Sequence, residues 1–321
     1  MSNSDLAAAE ELSRLSKATR LSRLSEIGRA HGFFRRLSST HSALYVEEGD
    51  TLLVTFDAAE RVIGRTKDGL PLGFRAVERD QVSLLNILGA RQTWFRDEKL
   101  FAFFDELIDA GFFDQFDRIL FLGLGPMCGY GALTYSVAAP FARVLAISPA
   151  ATLDRGAAPF ERRFRNAWSM DFTDRYGYAP AMAEAAEAIT LVYDPADVMS
   201  ASHAALFDGA NTTRHKLRHG GMAIGAMLAA GGTLWDLVRR AADGPVTTLD
   251  FARASRPARR LFAPYLGKLI ANADQTGHPR LALAAAEYGQ RLVKDGRFDD
   301  AVQLFRGRLG GSAEPQRRMG G

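Results

Sequence analysis

Arg118-Ile119-Leu120-Phe121-Leu122-Gly123-Leu124-Gly125-Pro126-Met127-Cys128-Gly129-Tyr130-Gly131-Ala132-Leu133 is a short apolar run that stops at closely spaced glycines and resumes as an Ala/Leu/Tyr-rich segment. That pattern predicts a buried parallel strand, a sharp turn and a helix packed back on its own sheet. Glycine at 123, 125 and 129 lets backbone pass close to backbone, or adopt positive φ, where a Cβ would clash. A strand-turn-helix of this kind has the architecture of a site. Gly123, Gly125, Pro126, Met127, Gly129 and Tyr130 are therefore the expected walls of a ligand pocket.

Outward from this stretch, the elements alternate. Thr51 to Asp57 is a β-branched and aromatic run closed by an acid, which reads as a strand. Gly69 to Arg75 reads as a turn leading into a second extended piece, and Ser83 to Leu88 as a short strand. Asp97-Glu98-Lys99-Leu100 opens a helix with its acids at the positive end of the helix dipole, running to a stop at Gly111. Arg143 to Ile147 is the next strand, ending in Ser148-Pro149 where open α/β sheets keep their ligands. Ala188 to Tyr193 is another strand, ended by Asp194, and the extended Thr212 to Leu217 leads to Arg218-His219-Gly220-Gly221. This alternation predicts an α/β protein with a mostly parallel sheet.

Three stretches depart from the alternation. Residues 6 to 37 place Leu6, Leu12, Leu15, Leu21, Leu24 and Ile27 at helical spacings that His31-Gly32-Phe33-Phe34 ends, so residues 1–45 are expected to be an amphipathic helical arm. Residues 150–187, rich in aromatics and charge, form an insertion placed where a lid could sit, or a plain surface excursion. Its Arg162, Arg163 and Arg165 suit either an anionic ligand over the elbow or a solvated face. Residues 246–321 read as wholly helical, with one hairpin between Arg280 and Leu309 that resembles a single tetratricopeptide unit. The body of the protein is thus expected over residues 46–245.

Composition narrows the function classes. The chain has 321 residues, 47% hydrophobic and 24% charged, with a net charge of +3. That is ordinary globular material, and the charge is too small to argue for nucleic acid. Arg253, Arg256, Arg259 and Arg260 read as a solvated helix face or a phosphate-binding patch. A single cysteine, Cys128, excludes an intrachain disulfide, and six scattered histidines without partners at ligand spacing argue against a metal site. No apolar run reaches membrane-span length and the polar N-terminus lacks a signal-peptide pattern, so the expectation is a cytoplasmic protein without membrane contact. No cofactor is predicted; the expected partner is a small molecule, or a protein met through the helical ends.

Strand, glycine elbow at 123–131, strand to Ser148, insertion, strand ending in Asp194 and strand ending near His219 together resemble the α/β-hydrolase fold over roughly residues 50–240. That resemblance implies a nucleophile on a G-x-S-x-G elbow, followed in chain order by an acid and a histidine. Asp194 and His219 stand where the acid and base would. The elbow departs from the pattern: one register puts Gly125 at the nucleophile position, the other puts Met127 there, and neither yields serine. Cys128 falls one residue late, as a displaced nucleophile or as a small apolar residue packed behind the elbow. His203 and His215 read as packing residues.

Two other resemblances are weaker. The glycines approach a dinucleotide fingerprint, but the following strand ends in Ser148-Pro149 without the acid a ribose requires, and Asp154 comes late. The runs from Gly129 to Pro140 and from Asp171 to Pro180 resemble a group of alphaproteobacterial proteins that often carry the name phosphoadenosine phosphosulfate reductase. The Ser-Gly-Gly phosphate loop and Glu-Cys-Gly tail of such reductases are missing from this sequence. Three readings follow: a degenerate hydrolase-fold protein with a binding or scaffolding role; an ester or thioester hydrolase or acyltransferase using Cys128, His219 and Asp194; and a nucleotide-dependent reductase.

Overall fold

A computed structural model of the chain describes residues 17–60, 62 and 70–310. They fall into two units, the described residues up to Gly225 with Trp235–Asp250, and Ala226–Leu234 with the described residues from Phe251 onward.

The first unit is built on one eight-stranded sheet: β1 (Gly32–Arg36), β2 (His41–Val46), β3 (Thr51–Ala58), β4 (Ser83–Gly89), β5 (Arg118–Leu124), β6 (Arg143–Ile147), β7 (Ala188–Tyr193) and β8 (Thr212–Lys216). Their order across the sheet is β1-β2-β4-β3-β5-β6-β7-β8. β2 runs antiparallel to β1 and to β4, and every other neighbouring pair is parallel. This is an α/β-hydrolase-like fold.

The sequence dictates which strands lie inside. β4, β5, β6 and β7 are buried on both faces over most of their length, so they carry near-continuous Leu, Ile, Val and Phe instead of an alternation. The two edges are blunted by charge: β1 ends in Arg35-Arg36, and β8 reads Thr-Thr-Arg-His-Lys with only His215 buried.

Around the sheet lie α1 (Lys17–His31), α2 (Phe74–Asp80), α3 (Glu98–Asp109), α4 (Pro126–Tyr135), α5 (Ala179–Met182) and α6 (Val198–Ala205). The apolar stripe of α3 sets Phe103, Phe104 and Leu107 into the core, where Phe104 meets Tyr135 of α4 at a ring-centroid distance of 4.5 Å. Each such buried side chain contributes about 1.5–3 kcal/mol of hydrophobic stabilisation. Asp97 caps α3 by accepting from the Lys99 backbone N–H at 2.9 Å. Among the described residues, no single helix is long and apolar enough to cross a membrane.

The second unit is helical. α10 (Ala263–Gln275), α11 (Pro279–Leu292) and α12 (Arg297–Gly310) enclose a small core of Leu266, Ile270, Ala282, Ala286, Phe298, Val302 and Phe305. Within it, α11 and α12 form a hairpin whose close approach needs Gly289, since a Cβ there would lie 2.6 Å from the Phe298 ring. The remaining helices, α7 (Ile224–Ala230), α8 (Leu234–Asp243) and α9 (Thr248–Leu261), lie between the last strand and this hairpin in the chain.

Two local expectations are corrected. The helix ends at His31, where His31-Gly32-Phe33-Phe34 is expected to end it, but the rest of the arm expected to residue 45 is β1 and β2 of the sheet, not helix. Phe33 carries that change: its ring packs on Tyr45 at 5.3 Å and on Phe103 at 6.2 Å, a pairing open to an extended chain. The part of the arm before Lys17 lies outside the described residues. Second, Phe74–Asp80 is the helix α2, not an extended piece; it buries Phe74 and Val77, three residues apart on one face, together with Ala76.

Candidate functional site

The carboxyl ends of the strands gather backbone in left-handed conformation. Arg91 follows β4 with φ 61°, Gly125 follows β5 with φ 91°, Ser148 follows β6 with φ 52°, and His219 and Gly221 follow β8 with φ 65° and 54°. Non-glycine residues adopt such angles seldom and at a cost, and they concentrate where a fold holds a site. Trp94 and Phe95, at φ 52° and 54°, extend the set along the loop after β4. That loop is held from beneath by the Tyr135 hydroxyl, which donates to the Phe95 carbonyl at 2.6 Å.

At the elbow itself, β5 ends at Leu124 and α4 begins at Pro126, leaving Gly125 alone in the turn. Its φ of 91° and ψ of 174° lie in a region that is essentially reserved for glycine. The Gly125 N–H donates to the Ile147 carbonyl at 2.8 Å, and the Gly129 N–H closes the first helical turn onto the Gly125 carbonyl at 2.8 Å. Gly123 and Gly129 serve packing: a Cβ on Gly123 would collide with the Cys128 carbonyl, and one on Gly129 would lie 2.7 Å from Pro149 Cβ.

A cavity of about 370 Å³ opens beside the elbow. Gly125, Pro126 and Met127 form one wall, Trp94 and Phe164 bring aromatic surface, and Met222 reaches it from the chain beyond β8. Glu60 from the segment after β3 and Arg91 from the loop after β4 also line it, tied together by the Arg91 backbone N–H donating to Glu60 Oε1 at 2.6 Å. Of the residues expected to wall a pocket, Gly123 and Gly129 are consumed by strand-helix packing. Tyr130 is fully buried and spends its hydroxyl on the Tyr176 carbonyl. Burial pushes the Tyr130 phenol up to about 12, against a smaller opposing pull from Arg96.

Asp194, His219 and Cys128 are distributed as follows. Asp194, 3% exposed, accepts the Ala196 N–H on Oδ1 and the Gly221 N–H on Oδ2, both at 2.8 Å. The Ser148 hydroxyl donates to the Gly221 carbonyl at 3.1 Å, so the same residue is held at both of its backbone polar groups. His219 is half-buried two residues before Gly221, in the turn that Asp194 braces. Cys128 is 2% exposed and belongs to the main apolar core, while part of it reaches the cavity wall.

Two buried histidines build networks that sequence reasoning passed over. His203 of α6 accepts the Ala151 N–H on Nδ1 at 3.2 Å, which leaves the proton on Nε2 to donate to Glu161 Oε2 at 2.9 Å. Burial raises the Glu161 carboxyl, but hydrogen bonds from His203 and Arg163 outweigh it and hold the group at about 2. His41 bonds through Nδ1 to Asp97 at 3.0 Å and through Nε2 to the Thr93 hydroxyl at 2.9 Å. Burial lowers the His41 pKa more than Asp97 raises it. Both pairs join residues from separate elements far apart in sequence, so no local spacing announces them. The pocket residues Glu60, Arg91 and Trp94 had one available signal, their position just beyond the carboxyl ends of parallel strands.

Among the described residues, no group of three or more His, Cys, Asp or Glu side chains is arranged to hold a metal ion.

No family model matches the chain, and no curated protein matches it in sequence. Among solved structures, the chain is similar to the capsule O-acetyltransferase of Neisseria meningitidis serogroup A, at 12% identity and a TM-score of 0.43, over 63% of this chain and 92% of that one. It is also similar to Est1E from Butyrivibrio proteoclasticus, at 12% identity and a TM-score of 0.40, over 64% of this chain and 97% of that one. A third is the Pyrococcus horikoshii acylaminoacyl peptidase, at 9% identity and a TM-score of 0.42, over 65% of this chain and 41% of that one.

Proposed function

We propose that this chain is a degenerate α/β-hydrolase-fold protein that binds a small, largely apolar molecule at its elbow without cleaving it. The observation that carries the reading is the pair Gly125-Pro126. Gly125 occupies the strand-to-helix turn where such folds mount a nucleophile, and it has no side chain to attack with. Pro126 occupies the next position, whose backbone N–H would stabilise an oxyanion, and proline has none. Two separate requirements of acyl transfer are therefore missing from adjacent residues. The 370 Å³ cavity beside them is within the range of small-molecule sites, and Trp94, Phe164, Met127 and Met222 give it apolar surface. Asp194, in this reading, is a structural brace for the turn carrying His219, and Cys128 is core.

The test is a panel of p-nitrophenyl acyl esters and acyl thioesters with the wild type, Cys128→Ala and His219→Ala. The expected result is no turnover in any of the three, together with saturable binding of p-nitrophenyl butyrate that Met127→Trp abolishes by filling the cavity. Turnover lost in both Cys128→Ala and His219→Ala would replace this reading with a displaced cysteine nucleophile.

A further inference from the structure

A second cavity, of about 560 Å³, lies in the insertion after β6 and shares no lining residue with the elbow pocket. Its polar walls are Arg155, Arg162, Arg165 and Glu161, with Trp168 beside them. The guanidinium carbons of Arg155 and Arg165 both stand over the Trp168 ring, at 4.8 and 5.7 Å from its centroid. An indole face attracts cations, so the ring fixes two flexible side chains that would otherwise sample many rotamers.

The charge balance of this cavity is one-sided. Glu161 is the acid among its lining residues, and its carboxylate is already committed: Oε2 takes Arg163 Nη2 at 2.6 Å and His203 Nε2 at 2.9 Å, while Oε1 takes the Arg163 backbone N–H at 2.7 Å. Arg163 reaches onward to Asp197 at 3.3 Å. Among the described residues, no carboxylate pairs with Arg155, Arg162 or Arg165, whereas Arg118, Arg143 and Arg175 of the same unit each have one. Three like charges around one cavity repel, and an anion placed among them relieves that repulsion. The floor is rigid, because Glu161 and His203 are buried and knit the insertion to α6 and to Ala151.

From this juxtaposition we infer that the Arg155–Arg162–Arg165 cavity is a binding site for a phosphoryl group. Guanidinium forks match phosphate oxygens in bidentate geometry, and a dianion answers three cations better than a single carboxylate does. The group is supplied by a soluble phosphorylated molecule or by a phosphorylated lipid headgroup. The arginines at 162 and 165 thus act away from the elbow, while Arg163 is a structural residue.

The test uses the full chain, titrated in parallel with inorganic pyrophosphate and with phosphatidic-acid vesicles, read by calorimetry and by tryptophan emission. Trp94 and Trp235 are buried and Trp168 is 36% exposed, so the emission change reports mainly on this cavity. Binding to either probe is expected, weakened at least about tenfold by Arg155→Ala and by Arg165→Ala, and unaltered by Arg118→Ala. It is expected to fall as salt rises from about 0.05 to 0.2 M. Pyrophosphate binding assigns a soluble ligand, and vesicle binding alone assigns a lipid. Binding to neither probe, or binding that both arginine variants retain, overturns the site.

Discussion

The Asp194 carboxylate holds the Gly221 backbone N–H at 2.8 Å, tying the end of β7 to the turn that follows β8. Gly221 is also held at its carbonyl by Ser148, and Asp194 keeps a second backbone donor in Ala196. A buried carboxylate with two backbone donors is a structural fastening, since each hydrogen bond to a charged group is worth about 1.5–3 kcal/mol net.

Asp194→Ala is therefore expected to lower unfolding free energy by about 3 kcal/mol, because it leaves two donors without their acceptor. Asp194→Asn keeps one acceptor oxygen and should cost about half as much. Urea unfolding of the three proteins measures the difference. An Asp194→Ala protein as stable as the wild type would show that the bonds to Gly221 and Ala196 contribute nothing.

The Glu161 network sets an acid limit on stability. Glu161 titrates at about 2 in the folded protein against 4.5 ordinarily, so its contribution is fully present above pH 4.5 and is lost as pH falls through about 2. Unfolding midpoints at pH 7, 4 and 2.5 should show the wild type converging on Glu161→Gln as acidity rises. A gap between them that stays constant across this range would contradict the shift.

The strands β3 to β8, the elbow and the strand-end positions of Asp194 and His219 are legible in the sequence because buried parallel strands announce themselves as apolar runs closed by turn residues. β1 is not, since Gly-Phe-Phe-Arg-Arg gives no alternation and its pairing with β2 depends on Phe33 meeting Tyr45 across the ladder. α2 escapes for a similar reason: seven residues after a Pro-Leu-Gly turn carry too few periods to distinguish helix from strand. The pocket is legible at Gly125-Pro126-Met127 and hidden at Trp94, Phe164 and Met222, which come from three other loops. Periodicity identifies elements, whereas loops that meet in space leave no periodic trace.

Two buried histidines resist protonation. Burial lowers His41, and it lowers His215, whose Nε2–H donates to the Val246 carbonyl at 3.1 Å. The folded state then binds fewer protons than the unfolded chain, so stability is full above about pH 6.5 and declines as pH falls below it. His41→Gln and His215→Gln should each flatten part of the decline between about pH 7.5 and 5 while lowering stability at neutral pH. Unchanged slopes in both variants would rule out these two groups as its source.

Cys128 gives a kinetic readout of the elbow. With 2% of its surface exposed, the thiol should react with maleimide only through opening of the structure, at a rate that rises with urea in step with unfolding. Rapid labelling in native buffer, slowed by His219→Ala, would instead identify an activated thiolate.

Installing the missing hydroxyl tests the elbow most directly. Gly125→Ser places an L-residue at φ 91° and ψ 174°, a conformation that costs non-glycine residues about 1–3 kcal/mol. The variant should fold with that loss and still fail to form an acyl-enzyme with p-nitrophenyl acetate, because Pro126 leaves the adjacent oxyanion position without its N–H. Intact-protein mass spectrometry detects an acyl adduct without requiring turnover. An adduct on the introduced hydroxyl would show that Asp194 and His219 are still poised for catalysis and that the elbow lacks only its nucleophile.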